Sequence, residues 1–255
     1  MKALDCHTFE SALESSAAIL HLTPHVLARR LNVFNYEALP ETERRSHPYE
    51  ELLIRHKFKL ASSEDLPAPP IVHWFHATRV VPKTLFDDGI KPLPAMLDAI
   101  WHFLGGLAAD WSTAEQWNAF RAEMPGQGGR QYHSKVGFDF AKGPFGFLVR
   151  EIVLEPALVG NHDYLGIPEI VEDICLSYDE TFGHHLRLRF LEATKPCIVK
   201  FRSVEARPDA LAAALVYVHR KLLGDELCID CNTCFDGEGK AVDGHNVLSV
   251  EWIDY

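Results

Sequence analysis

The spacing of hydrophobic positions divides the chain into a helical first quarter and a mixed remainder. Residues 9–22 and 24–31 carry apolar side chains at the period of an amphipathic helix. Thr23 and Pro24 add an N-cap and a first-turn signal to the second of these helices. A further helix is predicted over residues 49–59, and residues 61–70 have the composition of a linker. We therefore predict a helical N-terminal module over residues 1–69.

A strand is predicted directly after this linker, over residues 72–81. Its residues are mostly β-branched or aromatic, and it lies between the pair Pro69 and Pro70 and the later Pro82. A short helical turn should follow Pro82 and end at Gly89, because a helix C-cap favours a residue that tolerates a positive φ.

The remaining pattern mixes helices with short strands, which predicts a protein of the α+β class. Helices are predicted over residues 94–109, from Ser112 to about residue 124 with Glu115 at the capping-box position, and over residues 208–224. Strands are predicted over residues 131–140, 145–154, 174–178, 197–203, 226–230 and 247–253. Alternating basic and apolar residues also predict a half-exposed strand over residues 183–190.

His76 and Thr78 introduce polar side chains into the predicted strand of residues 72–81. They are two positions apart, so both side chains point to the same face of the strand. A polar pair on an apolar strand either finds hydrogen-bond partners or faces a cleft. These two residues are therefore the first candidates for a functional site.

The motif His76-Ala77-Thr78, followed by Gly89-Ile90, resembles the first signature of the ADP-ribosyltransferases of the His-Tyr-Glu type. This group includes the poly(ADP-ribose) polymerases and the diphtheria-toxin-like enzymes. Its signature is a strand ending in His-Gly-Ser or His-Gly-Thr, with a helix-ending Gly before Ile or Leu further along. Ala77 departs from the usual Gly, which reduces the room and the flexibility of the backbone beside a ligand.

A second match lies near the C-terminus, where Glu226 follows Asp225 at the head of a predicted strand. The last predicted strand, residues 247–253, would pair beside it. The catalytic glutamate of the family has the same surroundings, namely an Asn, Asp or Ser before it and a final strand that closes the domain. Glu226 is therefore the candidate catalytic carboxylate.

The resemblance implies a domain over residues 70–255 with two antiparallel half-sheets splayed around an NAD cleft. It implies transfer of ADP-ribose from NAD, the substrate, to a protein or nucleic-acid acceptor. By the same resemblance, His76 would hydrogen-bond a ribose hydroxyl, the backbone of Ala77 would hold the nicotinamide carboxamide, and Thr78 would brace His76 or the ribose. Glu226 would stabilise the oxocarbenium-like charge that develops when the bond between nicotinamide and ribose breaks.

Several residues compete for the aromatic position of the triad, because the family's Gly-x-Tyr-Phe motif is absent from the sequence. Tyr132 follows the intervening helices and opens a predicted strand, which makes it the first choice. Tyr164 and Tyr178 are alternatives, and Phe145 or Phe147 could supply the aromatic surface instead.

Four arginines are candidates for contact with the NAD pyrophosphate or with an acidic or nucleic-acid target. Arg79 directly follows the first motif, and the others are Arg130, Arg187 and Arg189. The alternative interpretation of Arg187 and Arg189 is a solvated face of a surface strand.

Composition and charge agree with a soluble globular protein, with 47% hydrophobic and 24% charged residues. No apolar run approaches the roughly 20 residues of a membrane helix, and the N-terminus lacks a basic region followed by an apolar one. We therefore expect a cytoplasmic protein without a membrane partner. The net charge of -11 argues against broad nonspecific nucleic-acid binding. A small acidic enzyme of this kind would fit a bacterial toxin or defence effector.

A C-x-x-C-x-x-C motif is formed by three cysteines: Cys228, Cys231 and Cys234. Zinc would need a fourth ligand, which His245 or Cys197 could supply. Cys228 lies two residues from Glu226, where a metal ion would interfere with NAD. We therefore predict structural thiols and no metal.

Two other functions remain open. The same fold, with Ala77 in the glycine position and without the family's tyrosine, could be a non-catalytic binding module. Alternatively, the helices of residues 12–31 could form a DNA-binding helix-turn-helix. Turnover of NAD distinguishes the enzyme from the binding module, and salt-sensitive DNA binding by residues 1–69 would favour the regulator.

Overall fold

The computed structural model of the chain describes residues 2–137, 142–205 and 207–254, and its mixture of helices and strands confirms the α+β class. The helices are α1 (Phe9–Ile19), α2 (Pro24–Asn32), α3 (Glu41–Ser46), α4 (Tyr49–Phe58), α5 (Leu93–Ala108), α6 (Ala114–Glu123), α7 (Gly126–Gly137), α8 (Arg150–Leu154), α9 (Glu169–Phe182), α10 (Leu186–Ala193) and α11 (Pro208–Leu223). The strands are β1 (Ala3–Leu4), β2 (Ile71–Val80), β3 (Phe145–Phe147), β4 (Lys195–Ser203), β5 (Cys234–Asp236) and β6 (Val247–Trp252). Among the described residues, no helix is both long enough and apolar enough to cross a bilayer.

The six strands belong to one sheet with the order β5-β3-β2-β4-β6, and the short β1 pairs with β2. Strand β2 runs antiparallel to β3, with Phe75 opposite Phe147, and parallel to β1, with Ala3 opposite Ile71. The longest strand, β2, therefore occupies the middle of the sheet. It is the strand that carries the first sequence motif.

The chain forms two compact units, and each unit is built from three segments of the sequence. Unit 1 contains residues 1–75, 146–161 and 200–235. Unit 2 contains residues 76–145, 162–199 and 236–255. The predicted helical module of residues 1–69 lies entirely within unit 1.

Helix α11 forms the centre of unit 1. Its residues 210–219 are all buried, and α1, α2 and α4 pack around it. A helix that is apolar on every side is expected to be enclosed by other elements. It begins at Pro208 and ends before Gly224, which has a φ of 72°, as the sequence predicted.

The core of unit 1 also contains a buried histidine. The Nδ1 atom of His219 accepts a hydrogen bond from the Tyr49 hydroxyl at 2.7 Å, and its Nε2–H donates to the Phe34 carbonyl oxygen at 3.3 Å. Burial lowers the pKa of His219 below its usual value. The neutral ring is therefore the form that fits this core.

An aromatic cluster forms the core of unit 2. Trp101, Trp117, Phe120 and Tyr178 pack together from α5, α6 and α9. Helices α7 and α9 approach closely because Gly128 has no side chain. A Cβ atom at this position would lie 2.2 Å from the carbonyl oxygen of Asp173.

Most of the predicted helices, and three of the predicted strands, are present. The structure confirms α1, α2 with Thr23 as its N-cap, α4, α5 and α11, together with β2, β4 and β6. Helix α6 begins one residue later than predicted, with Thr113 as its N-cap and Gln116 completing the capping box in place of Glu115. Residues 82–89 form turns and not a helical turn, but Gly89 has the predicted positive φ, at 81°.

Three segments predicted as strands are helical instead. Residues 131–137 belong to α7, residues 174–178 to α9 and residues 186–190 to α10, while residues 138–140 lie outside the described chain. The buried apolar residues of α9 recur at helical spacing: Ile170, Val171, Ile174, Cys175 and Tyr178. Burial of this helix face outweighs the preference of isoleucine and tyrosine for strands.

Two other predicted strands are short or absent. Strand β3 ends at Phe147, and α8 begins at Arg150. No strand begins at Glu226, because residues 225–228 have no regular structure and residues 229–231 form a 3₁₀ turn. The Cys228 N–H donates to the sulfur of Cys231 at 3.5 Å, so a local hydrogen bond uses a donor that strand pairing would need.

Candidate functional site

A large cleft lies within unit 2 and has a volume of about 1170 Å³. Its walls are the C-terminal half of β2, the loop of residues 81–91, the apolar face of α5 and the first turn of α9. Small-molecule sites usually measure about 300–1,000 Å³ and combine an apolar lining with a few polar groups. This cleft is slightly larger than that range and has the same kind of lining. It is therefore suited to a ligand at the upper end of small-molecule size.

His76 lines this cleft from the middle of the sheet, and its ring is fixed by the neighbouring strand. Its Nδ1 atom lies 2.7 Å from the carbonyl oxygen of Phe145. A carbonyl oxygen only accepts, so Nδ1 carries the hydrogen and donates. Burial lowers the pKa of His76, which favours the neutral ring. In that tautomer Nε2 is a hydrogen-bond acceptor, suited to a hydroxyl group of a ligand.

Ala77 and Thr78 also line the cleft. Ala77 is buried, at 7% exposure, so its methyl group is already enclosed by protein. Thr78 is partly buried. The first sequence motif is therefore part of the cleft wall as a continuous segment.

Arg79 belongs to the same wall, but its guanidinium group is bonded within unit 2. It donates to the carbonyl oxygens of Leu165 at 2.9 Å, Thr194 at 3.1 Å and Leu191 at 3.3 Å, and to the Thr194 hydroxyl at 3.3 Å. These bonds tie β2 to the end of α10 and to the segment before α9. A pyrophosphate ligand would have to compete with these acceptors for the same N–H groups.

The loop of residues 81–91 is held by a short pairing with residue 242. Ile90 and Val242 exchange two backbone hydrogen bonds of 2.9 Å. Gly89 has a φ of 81°, and a Cβ atom there would lie 1.9 Å from the Val242 carbonyl oxygen. Lys83 and Phe86 also have positive φ values, of 76° and 59°. Backbone of this kind persists only where the surrounding structure imposes it, and such sites cluster around ligands.

The predicted aromatic residue, Tyr132, does not line the cleft. It lies on α7, where its hydroxyl accepts a hydrogen bond from the Trp101 indole N–H at 2.9 Å. Tyr178 is fully buried in α9. Tyr164 and Phe145, which the sequence left as alternatives, do line the cleft.

The predicted carboxylate, Glu226, is exposed and belongs to unit 1. It is not among the residues that line the cleft, whereas Glu169, Asp87 and Asp88 are. Glu169 is the first residue of α9, where the helix dipole stabilises negative charge. Its side chain is 39% exposed, and its Oε2 atom lies 3.9 Å from the Lys135 ammonium nitrogen.

Lys135 and Asp173 form a partly enclosed ion pair beside this glutamate. The Lys135 ammonium donates to the Asp173 carboxylate at 2.8 Å, and Asp173 is 4% exposed. Burial raises the pKa of Asp173, and the nearby Lys135 opposes that shift. Lys142 and the exposed Lys91 add further positive charge to the lining. Local positive charge of this kind favours an anionic ligand, although the whole chain is acidic.

The remaining candidates lie away from the cleft lining. Arg187 and Arg189, on the exposed side of α10, pair with Glu172 at 3.4 Å and with Asp110 at 3.1 Å. Arg130 is exposed on α7. Among the described residues, no group of three or more His, Cys, Asp or Glu side chains could hold a metal ion.

Sequence reasoning missed Glu169, Lys135 and the apolar wall of α5. One signal for Glu169 was available, since a proline followed by an acidic residue marks the first turn of a helix. Pro168 and Glu169 have this arrangement.

Neither a protein-family model nor a curated protein nor a solved structure matches the chain. The function is therefore inferred from the sequence motif and from the geometry of the cleft.

Proposed function

We propose that the cleft of unit 2 binds NAD and that the protein transfers the ADP-ribosyl group of NAD to an acceptor. The observation that carries this proposal is the position of His76. It is the first residue of the signature motif, it lines the cleft of unit 2, and its Nδ1–H is held by the Phe145 carbonyl. Nε2 has no hydrogen-bond partner among the residues that the structure describes, and as an acceptor it suits a ribose hydroxyl of NAD.

Other residues of the lining suit the remaining parts of the same ligand. Tyr164 and Phe145 offer aromatic surfaces to the nicotinamide ring, and stacking on aromatic side chains stabilises planar heterocycles. The backbone of Ala77 would hold the carboxamide, and Lys142 or Lys91 would face the pyrophosphate charge. The described strands pair as one sheet, so the finer fold prediction, two half-sheets around an NAD cleft, stays a proposal that rests on the sequence resemblance alone.

The proposed chemistry needs a carboxylate near the ribose. Breaking the bond between nicotinamide and ribose develops positive charge on the sugar, and a fixed negative group lowers the energy of that state. Glu226 is the residue that the family resemblance selects, and Glu169 is the carboxylate at the N-terminus of α9 that lines the cleft. We propose Glu169 for this role, with the Lys135 ammonium orienting its carboxylate.

A pair of glutamine variants distinguishes the two carboxylates. Glu169→Gln should reduce the release of nicotinamide from NAD by roughly 100-fold or more, because the charge is lost and the shape is kept. Glu226→Gln is the matched control and should release nicotinamide at the wild-type rate. The reverse result would return the catalytic role to Glu226. Release of nicotinamide at the wild-type rate by both variants would contradict a catalytic role for either carboxylate.

The acceptor is proposed only by class, as a protein or a nucleic acid. Acceptor choice depends on loops around a site, and loops differ in ways that a core fold does not determine. A toxin or a defence effector would use such an activity. Supplying NAD that is labelled on its adenylate part to a cell extract, and following the label into protein or nucleic acid, would identify the class.

A non-catalytic binding module is the second candidate. Two observations favour it. Glu226 is not part of the cleft lining, and Ala77 places a methyl group where the family has a glycine, which leaves less room for a ligand beside the backbone. In that case NAD would raise the melting temperature of the protein without any release of nicotinamide. Helices α1 and α2 pack against α11, and the helix-turn-helix alternative stays a prediction.

A further inference from the structure

The cysteine motif near the C-terminus brings two thiols together within unit 1. The sulfur atoms of Cys228 and Cys231 lie 3.8 Å apart across the 3₁₀ turn of residues 229–231. Cys231 is fully buried, whereas Cys228 is partly exposed. The third cysteine, Cys234, is exposed and contacts the side chain of Asn232. The Cys228 thiol is therefore accessible to a reagent, and the buried Cys231 thiol lies in contact with it.

An arginine provides positive charge beside this pair. Arg220, near the end of α11, has a buried Nε–H with no hydrogen-bond partner among the described residues. One of its terminal nitrogens lies 3.5 Å from the Asp225 carboxylate. The acidic groups Asp230, on the turn, and Glu50, on α4, face the same region and oppose the effect of the arginine. The thiol pair is thus surrounded by charges of both signs.

The two sulfurs differ in acidity because of their mutual hydrogen bond. The Cys231 thiol donating to the sulfur of Cys228 lowers the pKa of Cys228 to about 6, with help from the Asp230 backbone N–H and Arg220. The same bond and burial raise the pKa of Cys231. Thiolates are the nucleophilic form of cysteine, and a Cys-x-x-Cys motif is a recurring setting for a lowered pKa. Cys228 is therefore suited to be the attacking thiolate, and Cys231 to be the thiol that resolves the resulting mixed disulfide.

We propose that Cys228 and Cys231 form a redox-active dithiol that exchanges with small disulfides of the glutathione type. In the first step the Cys228 thiolate attacks one sulfur of the small disulfide. A new sulfur–sulfur bond forms, the old one breaks, and one thiolate leaves. Cys231 then gives up its proton to solvent, attacks the sulfur of Cys228 and expels the second thiolate. The protein dithiol is oxidised by two electrons, and the small disulfide is reduced to two thiols.

The geometry requires only a short closing movement. A disulfide has a sulfur–sulfur distance of about 2.05 Å, so the two sulfurs must approach from their 3.8 Å separation. The turn between them is short, and Ile229 within it is exposed at 67%, so its side chain does not obstruct this change. A structural zinc site is the competing explanation, but it would require ligands beyond the pair, and the described residues provide no such group.

Mass spectrometry of the intact protein tests the proposal. The full-length protein is equilibrated with mixtures of reduced and oxidised glutathione, quenched with acid, unfolded, and alkylated. We expect two thiols to be lost together as the mixture becomes more oxidising, and peptide mapping to show a bond between Cys228 and Cys231. Persistence of both as free thiols across mixtures that oxidise ordinary protein dithiols would overturn the proposal.

Three serine variants separate the roles of the cysteines. Cys231→Ser should accumulate a mixed disulfide between Cys228 and glutathione, because the resolving thiol is missing. Cys228→Ser should form neither the adduct nor the disulfide, and Cys234→Ser should behave like the wild type. Circular dichroism checks that each variant is folded. A folded Cys231→Ser protein that never forms the adduct, or stoichiometric zinc that is lost with Cys228→Ser, would contradict the dithiol site.

Discussion

Replacing His76 by Asn separates the hydrogen bond that its ring makes to Phe145 from the hydrogen bond that we propose it makes to NAD. The side-chain amide of Asn can donate where Nδ1 donates, so the bond to the Phe145 carbonyl, 2.7 Å in the wild type, can be kept. Asn has no acceptor at the position of Nε2. We therefore expect His76→Asn to fold normally and to lose affinity for NAD.

The expected magnitudes follow from one hydrogen bond in each case. Loss of the bond from Nε2 to a ribose hydroxyl should weaken NAD binding by about 1 kcal/mol, which is roughly a fivefold increase in Kd. His76→Ala removes both functions and leaves the Phe145 carbonyl without its donor. That should cost about 1–3 kcal/mol of unfolding free energy, whereas His76→Asn should cost well under half of that.

Urea unfolding and calorimetric titration with NAD measure the two quantities on the same samples. The decisive comparison is between the variants, because both lack the imidazole and only one keeps a donor to Phe145. Equal destabilisation of His76→Asn and His76→Ala would show that the bond to Phe145 does not hold the ring. Wild-type affinity for NAD in both variants would refute the role given to Nε2.

Three further outcomes are expected. Gly89→Ala should destabilise the protein by several kcal/mol or abolish NAD binding, because a Cβ atom would lie 1.9 Å from the Val242 carbonyl oxygen; unchanged urea unfolding and binding would contradict this. Gly128→Ala should lower the melting temperature for a similar reason, and a wild-type melting curve would show that α7 and α9 can move apart. Burial lowers the pKa of His219, so the unfolded chain binds a proton more readily than the folded one. The free energy of unfolding should therefore fall as the pH drops below about 6.5. His219→Gln should make it depend less steeply on pH, and an unchanged pH dependence in this variant would contradict the prediction.

Sequence periodicity was sufficient where one pattern dominated a segment. Helix α11 was predicted with both ends correct, because Pro208 and Gly224 mark its limits and its apolar residues leave few alternatives. The strand β2 was equally clear from its β-branched and aromatic residues. Helix α9 was mistaken in part for a strand, because the short apolar run of residues 174–178 has no visible period when it is considered alone.

The site was predictable only where its residues are adjacent in sequence. His76, Ala77 and Thr78 line the cleft together because they follow one another along β2. Tyr132 and Glu226 lie far from His76 in the sequence. Each was selected because a strand was predicted to begin there. Neither strand is present, since one segment is helical and the other makes a local turn. Tertiary packing, which local propensity does not contain, decided both positions.

Amide hydrogen exchange with and without NAD tests the central claim most directly, because it reports where the ligand binds. We predict slower exchange in the presence of NAD for the loop of residues 81–91 and for the start of α9, the two exposed walls of the cleft. Peptides from α1, α2 and α11 in unit 1 should be unaffected. No change at saturating NAD, or protection confined to unit 1, would contradict the assignment of the cleft as an NAD site.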